Sequence, residues 1–286
     1  MDLGTVGVWW SASWRADDGS TDVAAELEEL GYRALWSSGG FEPGLARHFE
    51  RMLSATRHVI VASGIVSVWA TSPEVVAPAV ADLEARYPGR FVLGLGVSHA
   101  PIVENYAHPH ARMAAFLDAL DGLDGEGAEV GKGRRVLAAL GPRMLALARD
   151  RAAGAHPYFV PVEHTAYART ILGEGPVLAP EVTVVLERDP TAARRLARTF
   201  TAGYLTLPNY AGNLRRFGFG DEDLSDGGSD RLVDAVVAWG DVDAVASRIR
   251  EHRAAGADHV CIQVLPTRGA FPVAAYRELA PALLAI

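Results

Sequence analysis

The chain has 286 residues, 49% of them hydrophobic and 22% charged, which is ample material for one large core or two smaller ones at about 150 residues per domain. Its 27 Lys and Arg stand against 35 Asp and Glu, a net charge of −8, which argues against a broad basic face for nucleic acid without excluding a local anion pocket. The single cysteine, Cys261, excludes an intramolecular disulfide and any multi-cysteine metal or iron–sulfur site.

Residues 1–10 lack the basic flank and apolar stretch of a signal peptide. No run of about 20 apolar residues is present to cross a membrane. A cytoplasmic protein is expected, with no nucleic-acid or membrane partner.

In chain order, strands are expected at 3–10, 32–37, 58–66, 90–96, 134–140, 156–160, 181–187 and 259–265. Helical patterns fall between them at 21–30, 45–56, 73–86, 110–120, 142–152, 162–172, 190–205 and 242–255. Such alternation signals parallel strands joined by helical crossovers. Eight units fit a closed (β/α)8 barrel, with an open doubly wound sheet as the alternative. Ser72-Pro73 and Asp189-Pro190 read as helix caps followed by a first-turn proline, and Gly256 as a helix stop. Residues 121–133, rich in Gly and acidic side chains, read as a loop. Residues 209–229 lack a clear period and read as a lid beside the barrel mouth. Cys261, inside an apolar run, reads as a small core residue.

In a barrel the site lies at the C-terminal strand ends. There the sequence offers Trp9, Ser38, Trp69, His99, His156, Tyr158 and Gln263, an aromatic and polar inventory poor in carboxylates. Paired carboxylates for glycoside hydrolysis are not evident. In Val136-Leu-Ala-Ala-Leu-Gly-Pro-Arg-Met144 a strand ends, Gly141 allows a turn and Pro142 opens a helix whose first N–H groups suit an anion. Arg143 adds a bidentate donor. A plain turn with a surface arginine explains the same residues equally well.

In Phe91-Val-Leu-Gly-Leu-Gly-Val-Ser-His99 the alternation puts Gly94 and Gly96 on one face. They leave room for a flat ring or a close backbone approach, and tight packing inside the barrel is the more ordinary explanation. The segment is not a dinucleotide fingerprint. Gly64, inside the apolar strand Val61-Ala-Ser-Gly-Ile-Val66, suggests a bulge. His99, His108 and His110 lie close in sequence, but Glu104 is the only carboxylate near them and no metal site is expected. His99 alone, at a strand end, is a candidate general acid or base. His156, in His-Pro-Tyr, reads equally as a structural histidine.

Taken in order, these segments resemble the luciferase-like monooxygenase superfamily, and within it the actinobacterial F-420-dependent oxidoreductases. The likeness runs over nearly the whole length. It also takes in Gly154-Ala-His-Pro-Tyr-Phe-Val-Pro161, Tyr204-Leu-Thr-Leu-Pro-Asn-Tyr210 and Gly256-Ala-Asp-His-Val-Cys-Ile-Gln263. The resemblance implies one luciferase-like barrel over residues 1–286, with the lid near 209–229. It implies coenzyme F-420 at the barrel mouth, with FMN as the alternative. A bulge in the third strand, often with a non-prolyl cis peptide, would support the ring at Ser63, Gly64 and Ile65. The phosphate would lie on Gly141, Pro142, Arg143 and Met144, with Leu140 also binding the cofactor. Gly96, Ser98 and His99 would reach the cofactor or substrate, with His99 as the preferred proton donor.

Trp9, Ser38, Trp69, His156, Tyr158 and Gln263 are then the expected substrate pocket. The implied activity is hydride transfer between the deazaflavin and a small organic substrate. An FMN-dependent monooxygenase acting with molecular oxygen and a cofactor-free, non-catalytic barrel are the alternatives. Some relatives that act on sugar phosphates carry Asp-His after the second strand, where this chain has Ser37-Ser38-Gly39-Gly40. A homodimer is expected by analogy and because two-fold dimers are common.

Overall fold

A computed structural model describes residues 1–10, 20–39, 45–123, 130–266 and 271–286. The strands are β1 (Val6–Trp10), β2 (Ala34–Ser37), β3 (Ile60–Ser63), β4 (Val66–Ser67), β5 (Phe91–Gly96), β6 (Arg135–Leu137), β7 (Gly154–Ala155), β8 (Val177–Leu178), β9 (Glu181–Leu186), β10 (Val237–Gly240) and β11 (Val260–Val264). The helices are α1 (Ser20–Glu29), α2 (Leu45–Ala55), α3 (Pro73–Arg86), α4 (Pro109–Gly122), α5 (Pro142–Arg151), α6 (Val162–Leu172), α7 (Pro190–Leu205), α8 (Pro208–Arg216), α9 (Asp221–Leu224), α10 (Asp230–Val236), α11 (Val242–Ala254) and α12 (Val273–Leu283).

Every strand pairing described is parallel. The sheet runs β11-β1-β2-β3-β5-β6-β7, and the segment from β8 to β9 closes it. On one edge, Val177, Ala179 and Glu181 donate their N–H groups to the carbonyls of Ala153, Ala155 and Pro157 at 2.8–2.9 Å. On the other, β9 is in register with β11, Cys261 opposite Glu181. The result is the (β/α)8 barrel expected, with β10 added outside the ring beside β9.

The strands are buried on both faces, so they read as nearly continuous apolar runs. Val8, Trp10, Leu35, Val61, Leu93 and Leu95 face the helix layer. Trp9, Trp36, Ala62, Val92, Val136 and Cys261 fill the interior. Cys261 is fully buried, as expected of a core residue. Inside, the Trp36 indole N–H donates to His259 Nε2 at 3.1 Å, and His259 Nδ1 bonds the Gly4 carbonyl at 2.8 Å.

Helix ends follow local chemistry. Pro opens α3, α4, α5, α7 and α8. Asp189 caps α7 by accepting from the Ala192 N–H at 2.7 Å, and Gly256 stops the chain after α11 at φ +103°. Ser72 occupies the cap position of α3 but makes no side-chain cap bond, so there only the proline does its expected part.

Several expectations are corrected. Residues 156–160 are not a strand: the ring position is taken by the two-residue β7 just before them. Pro157 has no N–H to give a ladder, and Phe159 sits at φ +57°. The expected strand at 58–66 is two pieces, β3 and β4, parted at Gly64 and Ile65. β8, β10 and α12 were not anticipated. Residues 209–229, expected to be irregular, carry most of α8 and all of α9, helices too short to display a period. The central part of the expected loop at 121–133, residues 124–129, lies outside the described residues, as does Gly40. No helix among the described residues is long and apolar enough to cross a membrane.

Gly94 and Gly96 make room for the break in the third strand. A Cβ on Gly94 would lie 1.9 Å from the Ser63 carbonyl oxygen, and one on Gly96 would lie 2.5 Å from the Ile65 side chain. Gly94→Ala is therefore expected to lower stability by about 3 kcal/mol or more through overpacking. Gly122→Ala, which meets nothing within 4 Å, should shift it by less than about 1 kcal/mol. Urea denaturation of the two variants checks this.

Candidate functional site

The C-terminal strand ends surround a chamber of about 650 Å³, within the usual range for a small-molecule or cofactor site. Trp9 comes from β1, Ser38 from the turn after β2, and Gly64 and Ile65 from the break between β3 and β4. Gly96, Ser98 and His99 come from the end of β5, Leu140, Gly141 and Met144 from the turn into α5, and His156 and Tyr158 from the segment after β7. The described lining holds no Asp, Glu, Lys or Arg.

The Gly64–Ile65 peptide is cis. Beneath it, the Ser63 hydroxyl donates to the Gly94 carbonyl at 3.0 Å and accepts the Gly94 N–H at 2.8 Å. Ser63 thus pins the break to β5 and lies behind the chamber wall. The indole nitrogen of Trp9 and Nε2 of His156 are both buried without a hydrogen-bond partner among the described residues. Such an unmet group costs about 1–3 kcal/mol. His156 Nδ1 bonds the Ala179 carbonyl at 2.7 Å, and the ring stacks on Trp36 at 4.3 Å. Burial lowers its pKa to about 4.

One wall is a tyrosine network. Tyr158 donates to Gln263 Oε1 at 2.6 Å and accepts from the Tyr204 hydroxyl at 3.0 Å. Tyr210 packs against Tyr204 and Tyr158. Burial raises the Tyr158 and Tyr210 hydroxyls far above their ordinary value, and Tyr204 to about 12, so all three are neutral donors. Near them Glu181 is fully buried, its Oε1 accepting from Thr183 at 2.7 Å. Desolvation raises this carboxyl to about 8.

At the rim, His99 Nδ1 bonds Asn209 Oδ1 at 2.7 Å, linking the β5 turn to α8. Burial lowers the His99 pKa despite that bond. Next to it is the start of α5. Gly141 there has φ −94°, so the turn itself does not demand glycine. Its Cβ would instead lie 3.4 Å from the Arg216 guanidinium, at the last turn of α8. Arg143 and Arg216 are exposed, and neither has an ion-pair partner among the described residues.

Of the residues expected from sequence, twelve line the chamber: Trp9, Ser38, Gly64, Ile65, Gly96, Ser98, His99, Leu140, Gly141, Met144, His156 and Tyr158. Trp69 stands behind the wall, donating to the Val97 carbonyl at 2.8 Å and packing on Tyr106. Gln263 stands behind Tyr158. Pro142 and Arg143 lie on the outer side of the α5 first turn. Sequence reasoning missed Tyr106, Tyr204, Asn209, Tyr210 and Arg216. All but Tyr106 belong to α7 and α8, which reach the barrel mouth only through the tertiary fold. No group of three or more His, Cys, Asp or Glu among the described residues is arranged to hold a metal ion.

A sequence model of the luciferase-like monooxygenases matches residues 18–259. The chain belongs to the luciferase-like monooxygenase family. An oxidoreductase or monooxygenase is the class that this membership supports. No curated protein matches the sequence.

Among solved structures, the chain is similar to an F-420-dependent secondary alcohol dehydrogenase in complex with an F-420–acetone adduct, with a TM-score of 0.76, 14% identity, and 98% and 99% of the two chains covered. It is similar to the coenzyme F-420-dependent tetrahydromethanopterin reductase from Methanopyrus kandleri, with a TM-score of 0.75, 17% identity, and coverage of 100% and 99%. It also resembles the oxygenating constituent of 3,6-diketocamphane monooxygenase from Pseudomonas putida, in complex with FMN, with a TM-score of 0.65, 16% identity, and coverage of 97% and 96%. At these identities the likeness concerns the fold.

In this luciferase-like barrel, Glu181 is protonated in the folded state at neutral pH and ionised in the unfolded one, where its pKa returns to about 4.5. Its contribution to stability is therefore full below pH 4.5 and is lost as pH rises through 8. Glu181→Gln keeps a neutral side chain at every pH. Its melting temperature relative to the parent should rise between pH 5 and pH 8, by at least about 3 °C, as read by thermal denaturation at the two pH values.

Proposed function

We propose that this chain is an F-420-dependent oxidoreductase of the actinobacterial kind, with the deazaflavin ring in the chamber and its phosphate at the start of α5. The observation that carries this reading is a chamber whose described lining is uncharged, opening onto a helix N-terminus beside two arginines that have no ion-pair partner among the described residues. The first-turn N–H groups of α5 are free of intrahelical partners and suit a phosphate, and Arg143 and Arg216 supply the formal charge. The donor set therefore fits a planar ring with a phosphorylated tail. When bound, such a ring supplies hydride transfer.

The protein then has to position the ring, exclude water and handle protons. Gly64 and Ile65 back the ring, held by the Ser63–Gly94 hydrogen bonds. Residues Asn209 and Tyr210 of α8 cover the rim as a lid. His99 gives its Nδ1–H to Asn209 and, with its lowered pKa, holds a lone pair on Nε2 at neutral pH. It then acts as a proton acceptor, and as a donor only once protonated. The absence of charge from the described lining speaks against a sugar phosphate inside the chamber.

Titration of purified apoprotein with F-420 and with FMN, followed by absorbance and fluorescence, tests the reading. F-420 should bind and FMN should not. Gly141→Asp should weaken binding by about a hundredfold through like-charge repulsion, and Arg216→Ala by about tenfold. Preference for FMN would favour the monooxygenase reading. Binding of neither would leave a cofactor-free barrel.

A further inference from the structure

The chamber floor carries two polar atoms that no group among the described residues satisfies. Trp9 is 5% exposed and His156 2% exposed, and Trp9 Nε1 and His156 Nε2 have no hydrogen-bond partner among the described residues. Both converge on Gly64. The point where its Cβ would stand is 2.9 Å from the Trp9 nitrogen and 3.6 Å from the His156 nitrogen. The absent side chain therefore leaves the two nitrogens near each other at the base of the chamber.

Their roles follow from covalent chemistry. An indole nitrogen only donates. The Ala179 carbonyl only accepts, so His156 must place its proton on Nδ1. Burial keeps the ring neutral at pH 7, which leaves Nε2 with a lone pair. A donor and an acceptor thus lie 2.9 and 3.6 Å from one point beside Gly64. A hydroxyl satisfies both with one oxygen, accepting from Trp9 and donating to His156. A ketone oxygen satisfies only Trp9, and a carboxylate meets a lone pair and a wall uncharged in its described lining.

We infer that Trp9 and His156 form an oxygen subsite that takes the hydroxyl of a neutral, largely apolar substrate. The tyrosine wall and the lack of charge in the described lining set the remainder of that substrate as uncharged. The inference rests on the proposed function only in taking this chamber as the place of reaction.

The probes are cyclohexanol, cyclohexanone and cyclohexanecarboxylate, added to full-length ¹⁵N-labelled protein without any ring cofactor. Failure of the cofactor titration therefore leaves this experiment readable, and the reverse also holds. The Trp9 indole N–H signal is assigned by its loss in Trp9→Phe. Cyclohexanol should move both that signal and the His156 Nε2 signal. Trp9→Phe should weaken cyclohexanol about tenfold, the effect of one hydrogen bond. His156→Asn, whose amide can still serve the Ala179 carbonyl, should do the same. Cyclohexanone should respond to Trp9→Phe alone, and cyclohexanecarboxylate should bind at least about tenfold more weakly than the alcohol.

An unmoved Trp9 signal, no binding of cyclohexanol, or equal affinity for the alcohol and the carboxylate overturns the subsite. The parent protein's two signals decide the matter even if one variant fails to fold.

Discussion

Ser63 seats its carbonyl where β5 has no side chain, and the chamber depends on that contact. The barrel interior is otherwise filled by Trp36, His259 and their neighbours. With Gly94 and Gly96 facing the third strand, β3 can break at Gly64 and Ile65 and still remain bonded to β5 through the Ser63 hydroxyl. That break is what brings Gly64 under Trp9 and His156. Side chains at 94 and 96 would push the segment away and take the floor of the chamber with it.

The polar groups around the chamber are held neutral by burial rather than paired as ions. Glu181 is raised toward 8, His156 is lowered toward 4, and the tyrosine hydroxyls are raised. Desolvation is the largest cause in every case. The surface is different, with arginine–aspartate pairs such as Arg194–Asp234 at 2.6 Å. A neutral interior suits chemistry in which the electronic work is done by a bound ring and the protein supplies position and dryness. Among the described residues, Arg143 and Arg216 stand outside the chamber, exposed to water.

The family relationship and this geometry bear on different questions. Membership of the luciferase-like monooxygenases rests on a match over residues 18–259, and the barrel's likeness to F-420- and FMN-bound proteins concerns the backbone. The details of the site are local. Ser38 and Gly39 line the chamber after β2, and His99 leans on an asparagine from α8. The Trp9 and His156 nitrogens, unpartnered among the described residues, come from β1 and from the segment just after β7, on opposite sides of the break.

The sequence by itself determined the alternation of strands and helices, the prolines that open helices, and the glycines of β5, because these depend on local sterics and on burial period. It also placed Trp9, Gly64, His99, Gly141 and His156 at strand ends, which a parallel barrel gathers at one mouth. It misplaced the strand at 156–160, because the two residues of β7 carry too little pattern to compete with the apolar run that follows. Only the tertiary structure decided that Trp69 and Gln263 stand behind the wall. It likewise brought Tyr204, Asn209, Tyr210 and Arg216 to the site, since α7 and α8 are far from the other strand ends in sequence. The pairing of Trp9 with His156 was hidden for the same reason: 147 positions part them along the chain, and only barrel closure brings both nitrogens beside one glycine.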